Sequence, residues 1–238
     1  EGLYHGILAN ELFKHLNQNI YFVPRIYADE LIKTNPEYLN DLSKVIHPEI
    51  KVFYCGQNVV SKTLKNYKNI YKIIKNEIIF WDNYFANDYC PRRFFIGPTV
   101  GREKIRNIMI NPTGLINTDL LILDLFAKSI NKRVSIKELE NILNTHNVPR
   151  AFMRIKKFFI SPHFGSNPLI EPSNVKAEYF EALDFLLWKW KGSLAREWYP
   201  FLLGLKHDLQ INKKQIASER IIKTQTTPLS KLLIRGDF

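Results

Sequence analysis

The stretch Phe80-Trp81-Asp82-Asn83-Tyr84-Phe85-Ala86-Asn87-Asp88-Tyr89 gathers an indole, two carboxylates, two carboxamides and two phenols within ten residues. These are the groups that hold a sugar. An aromatic face takes the ring, and carboxylates and amides exchange hydrogen bonds with its hydroxyls. The apolar run Ile78-Ile79-Phe80 leads in, and the chain then turns polar. That switch predicts a buried strand followed by a loop. In a barrel of alternating strands and helices, such loops carry the chemistry.

Taken one at a time, the candidate residues have plainer roles. Trp81 fits a core aromatic at a strand end, and Tyr27 and Tyr89 fit amphipathic boundary positions. Asn83 and Asn111 fit turn formers, and Asn111-Pro112 is a turn signal by itself. Asp88 fits a solvated loop carboxylate or an Asx turn. Cys55 fits an inert buried thiol. Their order along the chain is what raises them above this.

The elements that must position them alternate. Leu3, Ile7, Leu8, Leu12 and Leu16 recur at helical spacing. Ile20 to Val23 predicts a short strand stopped by Pro24. Pro36 opens a second helix with Tyr38, Leu39, Leu42, Val45 and Ile46 on one face. Ile50 to Cys55 predicts a strand ended by Gly56. Ser61 to Lys75 predicts a helix bearing Leu64, Tyr67, Ile70, Tyr71 and Ile74. Ile78 to Trp81 and Asn107 to Ile110 predict two more strands, and Asn117 to Ser129 an apolar helix. Alternation of this kind implies parallel strands with crossover helices.

Further on the texture becomes helical. Ser135 with Glu138 three residues later reads as a capping box for a helix to Asn144. A loop rich in Pro, Ser, Asn and Gly spans Ser161 to Ser173. Ala177 to Lys191 and the segment Trp198 to Leu205 predict two packed helices with a break near Gly192. Trp188, Trp190 and Trp198 read as helical core. The chain is expected to divide into residues 1–133, a barrel portion, and 134–238, a helical domain.

Composition bounds the function. The 238 residues carry 34 Lys and Arg against 23 Asp and Glu, a net charge of +11. The lysines are spread from Lys14 to Lys231, and the densest basic group, Arg150, Arg154, Lys156 and Lys157, is short. A solvated basic surface accounts for this, so no nucleic acid is expected as partner, although a basic adaptor on nucleic acid is the rival such charge suggests. No run of eighteen apolar residues predicts a membrane span. The six histidines lack metal-ligand spacing. Cys55 and Cys90 allow at most one bridge, which fits a reduced compartment or a disulfide-poor secreted enzyme, with the cytoplasm slightly favoured.

At these residues the chain resembles glycoside hydrolase family 84, the O-GlcNAcases and related bacterial β-N-acetylglucosaminidases. WDNYFANDY followed by Arg93-Phe94-Phe95-Ile96-Gly97-Pro98 and Gly101-Arg102 is similar to the family signature. Val23-Pro24-Arg25-Ile26-Tyr27 is similar to its fifth-strand segment. Val52-Phe53-Tyr54-Cys55-Gly56 with Val59-Val60-Ser61-Lys62 is similar to the sixth, and Ile110-Asn111-Pro112 to the end of the eighth. The motifs run in the family's order over residues 3–130.

The resemblance implies a fold, a chemistry and a site. The fold is α/β, the C-terminal half of a (β/α)8 TIM barrel followed by an α-helical domain. The chemistry is retaining, substrate-assisted hydrolysis of terminal N-acetylglucosamine through an oxazoline, with no metal or organic cofactor. The partner is an N-acetylglucosamine-containing glycan or glycoprotein. By the same resemblance Tyr27 lies beside the acetamido group, Cys55 and Val59 line the pocket for its methyl, and Trp81 forms an indole wall. Asn83, Asp88 and Asn111 hydrogen-bond the sugar, Asp88 on its O4/O6 side, and Tyr89 neighbours the pocket.

Three features depart from the family. Its catalytic pair, two adjacent aspartates after the fourth strand, has no match among Asp29, Asp41, Asp82, Asp88, Asp119, Asp124, Asp184, Asp208 and Asp237. The chain is therefore expected to be a C-terminal fragment with the pair upstream. Cys55 stands where the family has threonine. Arg25-Ile26 replaces a polar pair and could bring positive charge toward the acetamido pocket. A protein that keeps the sugar cradle without catalysis, a glycan-binding module, is the main rival.

Overall fold

The computed structural model describes residues 1–16, 18–61, 63–65, 67–88, 93–103, 105–132, 134–160 and 175–215. The chain forms two compact units. The first comprises Glu1–Tyr84 and Val100–Asn111, and the second Phe85–Thr99 with everything from Pro112 onward.

The first unit is built on one parallel sheet. Strands β1 (Tyr21–Phe22), β2 (Lys51–Tyr54), β3 (Ile78–Asp82) and β4 (Ile108–Ile110) lie side by side in chain order. All three pairings are parallel, with Phe22 opposite Val52, Tyr54 opposite Phe80, and Trp81 opposite Met109. The strands fall where the apolar runs predict them.

Side chains alternate between the faces of a strand. Val52, Tyr54, Ile78 and Phe80 point to one face, and all four are buried. Helix α2 (Tyr38–Val45) supplies Tyr38, Leu39 and Leu42 to the core that includes Val52, Tyr54 and Ile78. Phe53 and Trp81 belong to the other face, with ring centres 6.2 Å apart. That face is only partly covered: Tyr21 is 53% and Met109 40% exposed.

Helix α1 (Gly2–Leu16) is present, but its buried face is not the predicted one. Leu3, Ile7, Leu8, Leu12 and Leu16 are all exposed, and the helix buries Gly2, Gly6 and Ala9 instead. The reason is closeness. A Cβ on Gly2 would sit 2.1 Å from the Tyr38 carbonyl oxygen, and one on Gly6 2.5 Å from a Val45 methyl. Small residues let α1 approach the α2 backbone, and Asn10 Nδ2 donates to Val45 O at 2.7 Å across the gap.

Between Ser61 and Lys75, where the sequence predicts a helix bearing Leu64 to Ile74, the described residues hold a shorter 3₁₀ segment, Tyr67–Lys72. Upstream of it Thr63 bridges Val100, and Leu64 N–H donates to Val100 O at 3.0 Å. Those backbone groups are committed outside any helix.

The second unit is helical. It holds α3 (Ile116–Ser129), α4 (Ile136–Thr145), α5 (Phe152–Ile155), α6 (Ala177–Trp188) and α7 (Ser193–Asn212). The predicted loop Ser161 to Ser173 lies outside the described residues. The Ser135–Glu138 capping box forms in both directions. Helix α7 begins earlier than expected, right after Gly192, whose φ of 122° an L side chain rarely adopts. Fully buried Trp198 centres this unit, with Phe94 and Phe152 ring centres at 4.6 and 4.9 Å. Trp188, read as core in the sequence, is instead 60% exposed, because α6 turns Leu183, Leu186 and Leu187 inward.

Candidate functional site

Parallel strands put all their C-terminal ends on one side of the sheet. Trp81 and Asn83 alternate with buried Asp82. The register Trp81–Met109 and Asp82–Ile110 brings Asn111 opposite Asn83, and Asn111 N–H donates to Asp82 O at 2.9 Å. On the next strand Phe53 and Cys55 share the Trp81 face. Cys55 N–H donates to Tyr27 O at 2.7 Å, and the Tyr27 and Trp81 rings lie 5.7 Å apart at 44°. Six of the residues singled out above thus gather in the first unit: Tyr27, Cys55, Val59, Trp81, Asn83 and Asn111.

The polar heart of this cluster is a pair of carboxamides. Asn83 Nδ2 donates to Cys55 Sγ at 3.3 Å and to Val59 O at 3.1 Å. Asn111 Nδ2 donates to Asn83 Oδ1 at 3.1 Å. Burial, reinforced by the Asp82 carboxylate, pushes the Cys55 thiol up to about 12, so it is an un-ionised thiol at neutral pH. Burial also raises the Tyr27 phenol, with Cys55 and Glu30 adding to it.

Asp88 and Tyr89 are not among these six. Asp88 belongs to the second unit and occupies an exposed turn. Tyr89 and Cys90 lie outside the described residues, as does Lys62. Arg25, one of the departures from the family pattern, pairs its guanidinium with Glu1 at 2.5 Å.

The sequence did not single out Arg102 and Asp82 for this cluster, yet they frame it. Arg102 Nε and Nη2 grip the two Asp82 carboxylate oxygens at 2.9 and 3.0 Å, with both side chains buried. Arg102 also donates to Ser61 O at 2.6 Å and Val100 O at 2.7 Å, and its guanidinium lies 5.5 Å from the Tyr84 ring centre. Asp82 Oδ1 accepts from Tyr84 N–H at 3.1 Å. One forked cation thus ties the end of β3 to the loop segments at Ser61 and Val100, beside Asn83. A buried-type Arg next to Gly101, itself at φ 88° and pressed against the Leu64 backbone, was the available signal.

The signature motif therefore divides by role. Trp81 to Tyr84 and Gly101-Arg102 build the strand-end cluster. Arg93, Phe94, Phe95 and Ile96 are buried in the helical unit, where Arg93 pairs with Asp208 at 2.5 Å. That unit also holds a cavity of about 450 Å³ lined by Asn117, His146, Trp190 and Lys191 among others, and none of the residues singled out for the sugar lines it. Among the described residues no group of three or more His, Cys, Asp or Glu could hold a metal ion, and no helix is long and apolar enough to cross a membrane.

Comparison with known proteins bears on the family resemblance and on the fold. Residues 5–120 match the family profile described as beta-N-acetylglucosaminidase. The mouse Protein O-GlcNAcase (Mus musculus) is 31% identical over 117 residues, which is 44% of this chain and 13% of that protein. The rat protein (Rattus norvegicus) is 30% identical over 118 residues, with the same shares. The chain thus spans a small part of the length of these relatives. Among solved structures, a point mutant of the Thermobaculum terrenum O-GlcNAc hydrolase superposes with a TM-score of 0.68 over 94% of this chain and 57% of its own, at 18% identity. CpGH84B gives 0.63 over 99% of this chain and 51% of its own, at 14% identity. At such identities the structures speak for the fold, a parallel sheet with many helices, and the sequence relatives speak for descent. Through its residues 5–120, this chain is similar to the beta-N-acetylglucosaminidase family and to the O-GlcNAcases of glycoside hydrolase family 84.

Proposed function

We propose that this chain is the sugar-binding half of a retaining β-N-acetylglucosaminidase. It is the C-terminal half of a (β/α)8 barrel, followed along the chain by a helical domain. The observation that carries this is the Tyr27–Trp81 and Asn83–Asn111 cluster at the C-terminal strand ends, on the uncovered face of the sheet. Parallel sheets normally have both faces covered. A face that exposes Tyr21 and Met109 is the face a complete barrel would turn inward.

In the reaction, the sugar's own 2-acetamido oxygen attacks the anomeric carbon, the glycosidic bond breaks, and an oxazoline forms. Water then opens the oxazoline with retention. Two carboxylates are needed, one to hold the amide N–H and one to give and take the proton. Asp82 is not one of them, since both its oxygens are gripped by Arg102. The pair is placed on a preceding segment of the polypeptide. Here Trp81 and Tyr27 supply the apolar wall, Cys55 and Val59 the acetyl pocket, and the Asn83–Asn111 pair with Asp88 the hydroxyl contacts.

The test uses the intact polypeptide, turnover of an aryl N-acetyl-β-glucosaminide and calorimetric binding of an N-acetylglucosamine-derived inhibitor. Asp88→Ala removes a charge-assisted contact worth about 1.5–3 kcal/mol. It should weaken inhibitor binding by roughly one to two orders of magnitude and lower kcat/KM with it. Equal affinity in two equally folded proteins would take Asp88 out of the site. The absence of adjacent aspartates favours a second reading, a glycan-binding protein without catalysis. It predicts the same binding with no turnover.

A further inference from the structure

The Asn83 carboxamide is fixed from both ends. Its two amide protons go to Val59 O and Cys55 Sγ, at 3.1 and 3.3 Å from the nitrogen. A backbone carbonyl only accepts, so it dictates which end of Asn83 is nitrogen. The Asn83 oxygen must then face Asn111, and Asn111 must answer with its own nitrogen, 3.1 Å away.

The loop that carries Val59 is itself clamped. Glu30 Oε1 accepts from Val59 N–H at 2.7 Å, Glu30 N–H donates to Gln57 O at 3.0 Å, and Asp29 N–H donates to Gly56 O at 2.9 Å. The Asp29 carboxylate accepts in turn from the Tyr54 hydroxyl at 2.5 Å. The carbonyl that orients Asn83 is therefore held in place before any ligand arrives.

We infer that Asn83 is a positioning residue, which turns half-buried Asn111 so that its carbonyl oxygen, and not its amide nitrogen, is offered to a sugar hydroxyl. The inference rests on the sugar-site reading of this face and divides the labour within its carboxamide pair. A carbonyl oxygen selects a hydroxyl that donates. A fluorine in the place of that hydroxyl can only accept, so it finds no partner there. Without Asn83, the Asn111 carboxamide is free to turn and present N–H, and fluorine is tolerated.

The experiment compares an N-acetylglucosamine-derived inhibitor with its 3-, 4- and 6-deoxyfluoro analogues, by calorimetry on the intact polypeptide. Wild type should bind at least one analogue about tenfold or more weaker than the parent, the size of one lost hydrogen bond. In Asn83→Ala, and in Asn83→Leu, which keeps the volume, that penalty should fall below about threefold, which is about 0.65 kcal/mol. In Asn83→Asp, which still offers Asn111 an oxygen, the penalty should persist. A merely structural role for Asn83 would weaken parent and analogues alike. A penalty that is equal in all folded variants, or no penalty in wild type, overturns the positioning role while leaving the sugar site in place. Failure of wild type to bind the parent inhibitor overturns the sugar-site reading, and the inference with it.

Discussion

Arg102 makes the strongest single commitment in the strand-end cluster. Its guanidinium serves two carboxylate oxygens and two backbone carbonyls inside a region closed to water. Removing one partner of such a pair leaves a buried charge uncompensated, at a cost of about 3–5 kcal/mol. Arg102→Met should therefore lower the unfolding free energy by that amount, measured by urea denaturation of this chain. The paired change Asp82→Leu with Arg102→Met should recover much of the loss, because the stranded carboxylate goes too. An Arg102→Met protein as stable as wild type would mean that Asp82 is solvated in solution. The sequence displayed this arginine next to a glycine but gave no sign of its partner twenty positions earlier. Charge pairing across strands has no period to read. The carboxamides were visible as residues at strand ends, but the direction of each amide was not, because it is set by the Val59 carbonyl in the loop after the neighbouring strand.

Elements whose packing follows side-chain size were legible, and those whose packing follows its absence were not. The strands announce themselves as apolar runs ended by Pro24, Gly56 and the polar loop after Trp81. Helix α1 misleads, because its leucines mark the outer face and its glycines the inner one. Gly2→Ala puts a methyl 2.1 Å from a backbone oxygen, and overpacking of this kind costs about 1–3 kcal/mol. Leu8→Ser, on the exposed face, should change thermal stability of this chain by less than about 0.5 kcal/mol. The reverse order of the two effects would place the leucines against the sheet after all.

The α4 cap gives a pH test. Glu138 is held down to about 2 by hydrogen bonding to Lys132 and Ser135, against an ordinary 4.5. A depressed carboxyl adds stability above its unfolded value and loses it as pH falls through the folded one. The cap's share should thus be intact above about pH 4.5 and fade toward pH 2. Ser135→Ala should cost about 1 kcal/mol at neutral pH. The gap between the two proteins' melting temperatures should narrow on acidification. A constant gap would show that Glu138 contributes nothing to the cap.

At the scale of the whole molecule, the parallel sheet was legible as alternation. The described residues hold four parallel strands, half of what a closed barrel uses. The partly uncovered face of that sheet is the reason we propose the half-barrel reading. On the proposed reading, this chain alone should leave an aryl N-acetyl-β-glucosaminide unhydrolysed, since general acid–base help is worth about a hundred- to ten-thousand-fold and that reading puts the groups for it on a preceding segment. Turnover lost on substituting one carboxylate of this chain would put the acid within it. The chain of side chains from Cys55 through Asn83 to Asn111 has a further consequence. It crosses the ends of three neighbouring strands, and each member depends on facing the same way. A slip of β4 by one residue against β3 would turn Asn111 to the opposite face and set Ile110 or Pro112 in its place. The carboxamide ladder could then not close. The groups we propose for a sugar therefore also proofread the alignment of the sheet, and a misaligned sheet loses that proposed face at once.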